Sequence, residues 1–167
     1  VGIYSAALKK GLLSAEQYAA MIAATTQLNT AGAELAETDG VHAMTDITGF
    51  GLLGHLLEIT RASKVSARVE LARLPLLPGV VELAQGGHVT GASQRNWASY
   101  GGEVKLADGL GDWQRAVLTD PQTSGGLLVS CAAELRDTVL AVFHRHGFAQ
   151  AAEIGGLHAG MDVSIVA

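Results

Sequence analysis

Apolar residues recur at helical spacing along some stretches of the chain and alternate with polar ones along others, and the two rhythms interleave from end to end. Tyr18, Met21, Ile22, Leu28 and Leu35 fall near one side of a helix, and Ser14 to Gln17 has the form of a capping box. The pattern predicts one long first helix from about Ala15 to Glu37. Val41 to Thr45 reads as a short strand, followed by the glycine turn Asp46-Ile47-Thr48-Gly49-Phe50-Gly51 and an apolar helix carrying Leu52, Leu53, Leu56, Leu57 and Ile59. Val65, Ala67, Val69 and Leu71 alternate with Ser66, Arg68 and Glu70, which predicts a strand with one exposed face. Beyond Pro75 and Pro78 the reading is a short helix over Val80 to Gln85 and a long polar loop over Gly86 to Gly102. A helix capped by Asp112 and carrying Trp113, Ala116, Val117 and Leu118 follows, then a break over Asp120 to Gly126, a strand Leu127 to Cys131 and a helix Glu134 to His146 stopped by Gly147. Ala151 to Leu157 and Met161 to Val166 read as a closing strand pair. The interleaving gives an α/β or α+β class, with helices packed on a mixed sheet.

Composition narrows the function classes. Hydrophobic residues make up 49% of the 167 positions and charged residues 16%, which is material for one domain with its own core. No uncharged apolar run reaches membrane-spanning length and no signal-like segment opens the chain, so neither a membrane nor a secretory role is expected, and the expected location is cytoplasmic. The net charge is −5 and the basic residues are scattered, which argues against a nucleic-acid partner. The lone Cys131, inside an apolar run, suits a buried strand thiol better than a redox centre. The six histidines show no metal-ligand spacing and are assigned structural or solvated roles.

Three segments concentrate chemistry. In Asp46 to His55 an acidic residue follows a strand and glycines precede a helix, and helix N-termini with glycine beside them suit phosphate oxygens, while a carboxylate suits magnesium. On the residues alone, Asp46 is read first as a helix cap or turn residue and only second as a metal ligand. Asp120-Pro121-Gln122-Thr123-Ser124-Gly125-Gly126 is either a proline-initiated turn or a ligand loop. Ser93-Gln94-Arg95-Asn96-Trp97-Ala98-Ser99-Tyr100-Gly101 is either a packed surface loop anchored by Trp97 or a contact for an anionic ligand or a partner domain.

Taken in order, these segments resemble the selenophosphate synthetase (selenide, water dikinase) family, and Ala7 to Leu13 and Leu74 to Val80 extend the likeness over nearly the whole chain. The resemblance implies that residues 1–167 form a single C-terminal domain of an enzyme that converts ATP, selenide and water to selenophosphate, AMP and orthophosphate with Mg²⁺. It implies a three-layer α/β/α arrangement with a mixed sheet, like the C-terminal domain of aminoimidazole ribonucleotide synthetase, with partial likeness to a ferredoxin fold. Asp46 takes the place of a family magnesium ligand. Thr48, Gly49, Gly51, Asn96, Gly125 and Gly126 become candidates for phosphate or domain-interface contacts. The family's N-terminal ATP-binding domain, with its Cys or selenocysteine, Lys and other metal aspartates, is absent from these residues, so no catalytic residue is assigned here and the chain alone is expected to be inactive. The resemblance also implies a homodimeric parent. The alternatives are a related ATP-dependent enzyme such as aminoimidazole ribonucleotide synthetase, or a non-catalytic interaction domain.

Overall fold

A computed structural model describes residues 1–167. The helices are α1 (Gly2–Leu8), α2 (Ala15–Thr26), α3 (Ala31–Ala36), α4 (Gly51–Ser63), α5 (Val80–Gln85), α6 (Gly91–Tyr100), α7 (Asp112–Leu118) and α8 (Arg136–Arg145), and the strands are β1 (Val41–Asp46), β2 (Val65–Glu70), β3 (Val104–Leu106), β4 (Leu127–Cys131), β5 (Gly155–Ala159) and β6 (Val163–Val166). The fold is mixed α/β, as the patterning predicts, but the strands divide between two sheets. A four-stranded mixed sheet has the order β3-β6-β2-β5, and β1 pairs with β4 in a separate antiparallel ribbon.

The alternation read in β2 is explained by its neighbours. Ala67 and Val69 face a core made with Leu53, Leu56 and Leu57 of α4, Leu118 of α7 and Val163 and Ile165 of β6. Burying each such side chain stabilises the fold by about 1.5–3 kcal/mol, so this face fixes the register of the sheet. A second cluster joins Ile3 and Tyr4 of α1 to Met21, Val80 and Ala84. A third lays Ala31 and Leu35 of α3 and Val139, Val142 and Phe143 of α8 against the β1–β4 ribbon.

Four expectations are corrected. The long first helix is two helices, because Thr25 and Thr26 turn their hydroxyls back onto the carbonyls of Met21 and Ile22, and Gln27 leaves helical geometry. The capping box at Ser14 and Gln17 is present as read. The polar loop over Gly86 to Gly102 contains α6, capped by the Thr90 hydroxyl, which accepts from the Ser93 amide at 3.0 Å. Asp112 is not a cap; Gly111 holds that position, its amide donating to the Gln114 side chain at 2.8 Å, while Asp112 pairs with Arg115. The last two strands do not pair with each other, since β2 lies between them, antiparallel to β5 and parallel to β6. The tight link between them is held where Ser66 Oγ accepts from the Asp162 amide and the Ala67 amide donates to the Asp162 carbonyl, each at 2.8 Å.

Cys131 lies half-buried on β4, and burial pushes its thiol up, which disfavours the reactive thiolate. No helix is long and apolar enough to cross a membrane.

Candidate functional site

Strand β1 ends at Asp46, which is paired across the ribbon with Leu127. The chain then leaves the ribbon through Ile47 to Phe50, and α4 begins at Gly51, whose φ of +68° is one that L side chains rarely adopt. A Cβ at Gly51 would also meet the Thr119 carbonyl carbon at 2.7 Å, so glycine there is set by internal packing.

Two segments far apart in sequence hold this loop, and a third braces one of them. The Ile47 amide donates to the Gly126 carbonyl, and the Gln122 amide donates to the Thr48 carbonyl, both at 2.9 Å. From α6, the buried Asn96 side chain donates to the carbonyls of Gly49 at 2.9 Å and Thr119 at 3.0 Å, so one amide ties both glycine loops together. The Tyr100 hydroxyl, one helical turn on, donates to the Phe50 carbonyl at 2.5 Å. Asn29, just beyond α2, donates to the Gly125 carbonyl at 2.8 Å. The three segments singled out in the sequence thus converge on one place, and the middle one acts as the bracket.

Burial pushes the Tyr100 phenol up to about 12. An unfolded tyrosine ionises near pH 10, so the unfolded chain loses its proton first. The stability linked to the neutral phenol is complete below about pH 10 and is lost as pH rises from there toward 12. Denaturant unfolding across that window is expected to show a steeper alkaline loss for the wild type than for Tyr100→Phe. Equal slopes would mean that the phenol is not held neutral by this site.

The glycines do different jobs. A Cβ on Gly125 would fall on the Ile47 carbonyl oxygen, so close backbone packing excludes any side chain there. Gly49 and Gly126 have nothing within 4 Å of their Cβ positions, and neither has a positive φ. Gly49 leaves open space just before α4, whose N-terminus no side chain caps, and Gly126 leaves open space where its carbonyl meets the Ile47 amide.

Asp46 is exposed, and its carboxylate makes no hydrogen bond or ion pair. The residue at the cap of α4 is Phe50, so the helix-cap reading of Asp46 does not hold. No three His, Cys, Asp or Glu side chains come together closely enough to hold a metal, and a magnesium ion here would take one carboxylate from this chain. Phe50, at the start of α4, is 55% exposed.

Two residues that sequence patterning passed over join the site. His55 is 7% exposed on α4, with Nε2 at 3.2 Å from the Thr48 hydroxyl and Nδ1 at 2.9 Å from the Glu58 carboxylate. The available signal was the three-residue spacing of His55 and Glu58, which places them together on a helix. Asp120, 3% exposed, accepts from the main-chain nitrogens of Val1 at 3.0 Å and Ile3 at 3.2 Å and so anchors α1 to the second glycine loop. Of the other histidines, His146 is tied to Glu34 and Thr30, and that hydrogen bond to His146, with Arg145 beside it, holds the Glu34 carboxyl below its ordinary range.

A selenide, water dikinase of Pseudomonas straminea is 62% identical over 160 residues, covering 96% of this chain and 45% of the relative. One from Paraburkholderia xenovorans is 61% identical with the same coverage. The chain therefore spans about half the length of the curated relatives it matches. Among solved structures, Escherichia coli HypE superposes with a TM-score of 0.67 at 19% identity over 99% of this chain and 43% of its own. Thiamine-monophosphate kinase from Stenotrophomonas maltophilia gives a TM-score of 0.62 at 20% identity over 99% of this chain and 47% of its own. These two show a shared fold. The family model for "AIR synthase related protein, C-terminal domain" matches residues 1–167 without a gap at either end, and the chain belongs to that family.

Proposed function

We propose that residues 1–167 are the C-terminal domain of a selenide, water dikinase, a cytoplasmic and homodimeric enzyme that uses ATP, selenide and water to make selenophosphate, AMP and orthophosphate. Relatives bearing that activity's name, 52–62% identical over nearly all of the chain, support the reading. The observation that carries it is Asp46: a carboxylate bound by nothing in its own chain, at the start of a loop that two other segments hold in place, one of them braced in turn by Asn29. A fixed loop around an unused, exposed carboxylate serves an outside charge better than it serves stability.

In this reading Asp46 supplies one oxygen to Mg²⁺, and the remaining ligands come from water, ATP phosphates and carboxylates outside these residues. When bound, the ion neutralises charge on the phosphates. Gly49 and Gly126 give the phosphate chain an approach along open backbone, and Asn96, with both amide protons committed to carbonyls, holds that backbone still. Asn96 is therefore a support and not a phosphate contact. The exposed Tyr18, Ile22 and Leu28, on or just after α2, and Phe50 suit cover by the rest of the enzyme.

Gly49→Ala separates ligand approach from folding, because a Cβ there meets nothing and φ is ordinary for alanine. The variant of the full-length chain is expected to melt within about 2 °C of the wild type, a shift under 1 kcal/mol, yet turn over at least tenfold more slowly. Unchanged turnover would remove Gly49 from the phosphate path. The activity itself is tested by incubating the full-length chain with ATP, Mg²⁺ and selenide. AMP, orthophosphate and selenophosphate in equal amounts are expected, and release of ADP alone would count against the assignment.

A further inference from the structure

The hydrogen-bond chain from Glu58 through His55 to Thr48 has a direction. A carboxylate can only accept, so the His55 nitrogen 2.9 Å from Glu58, Nδ1, must carry the hydrogen. In a neutral imidazole the other nitrogen, Nε2, is then an acceptor, and the Thr48 hydroxyl 3.2 Å away must donate to it. That hydroxyl has one proton, and its use toward the buried His55 leaves only lone pairs on the outward side of Thr48. Thr48 lies two residues from Asp46 on the same loop, is half-buried, and its hydroxyl has no other partner in the chain. An oxygen presenting lone pairs repels phosphate oxygens and attracts a cation or the hydrogens of its bound water.

We propose that Glu58 and His55 are positioning residues that set the Thr48 hydroxyl as an acceptor facing the hydrated cation beside Asp46. This rests on the magnesium role of Asp46 and reassigns Thr48 from phosphate to cation. The Phe50 ring lies tilted beside the imidazole, with 5.8 Å between ring centres.

The test reads the proton positions directly. Nitrogen-15 NMR of histidine-labelled full-length chain is expected to find the His55 proton on Nδ1. In Glu58→Gln the carboxamide can either accept from or donate to Nδ1, so the hydrogen is no longer locked on that nitrogen and the ring is free to take the Nε2–H tautomer, in which Thr48 accepts from His55 and is released as an outward donor. Glu58 is 52% exposed, so the fold is expected to stand unchanged. The Mg²⁺ concentration for half-maximal turnover should rise by about tenfold, the size usual for loss of an outer-shell partner. Thr48→Val should match that rise and Thr48→Ser should keep the wild-type response. A wild-type ring protonated on Nε2, or on both nitrogens, overturns the proposal, as does a tautomer flip that leaves the Mg²⁺ dependence unchanged. Failure of the underlying metal reading shows separately, as full turnover in Asp46→Asn, and the cation-facing role of Thr48 falls with it.

Discussion

Asp46→Asn in the full-length chain is expected to lose at least about a hundredfold in turnover while melting at the wild-type temperature. Removing an outer-shell partner of a metal already costs about 10–100-fold, and a direct ligand sets its floor at the top of that range. Stability is untouched because the carboxylate makes no bond within the chain and Asp46 holds its place through main-chain pairing with β4. The amide keeps the size and loses the charge. Kinetics at saturating Mg²⁺ together with a thermal melt decide the matter. Near-normal turnover would remove the metal role, and a lowered melt would show that Asp46 supports the fold after all.

Gly125→Ala is expected to do the opposite, destabilising the chain before it touches chemistry. Its Cβ would sit on the Ile47 carbonyl oxygen, and a backbone atom locked in the loop cannot move aside as a flexible side chain would. Overpacking of this kind costs about 3 kcal/mol or more. At about 2–4 °C per kcal/mol for a domain of this size, the melting temperature should fall by roughly 10 °C. The Asn29 bond to the Gly125 carbonyl should loosen with it. A melt within about 2 °C of the wild type would mean that the contact between the two glycine loops is less close than described. Beside Gly49→Ala, where nothing obstructs a Cβ, the pair separates glycines kept for packing from glycines kept for a ligand.

Element types were legible wherever hydrophobic periodicity had a core to answer to. Leu53, Leu56 and Leu57 on α4 and Ala67 and Val69 on β2 announce their buried faces, and those faces meet. Helix α6 was hidden because its inner face is held by hydrogen bonds more than by apolar packing. Ser93, Asn96 and Tyr100 are buried at helical spacing, yet a polar stripe looks like solvent to a reading based on hydrophobicity. The separation of β5 from β6 was equally out of reach, since β2, the strand between them, is far away in sequence. The site shows the same division. Asp46 and the glycine loops stood out by residue type, but whether Asp46 capped a helix depended on where α4 began, and one residue, Phe50, settled it. His55 closes the first motif and Glu58 lies just after it, and both were passed over because the histidines show no metal-ligand spacing along the sequence.

Residues 1–167 offer one carboxylate and a glycine platform, and we propose that nucleotide binding depends on the rest of the enzyme. Calorimetric titration of Mg-ATP into residues 1–167, run beside the full-length chain, tests it most directly. A cooperative melt with no detectable heat for residues 1–167, against saturable heat for the full-length chain, is the predicted result. Micromolar binding of Mg-ATP by residues 1–167 alone would contradict the claim and place the nucleotide site within them.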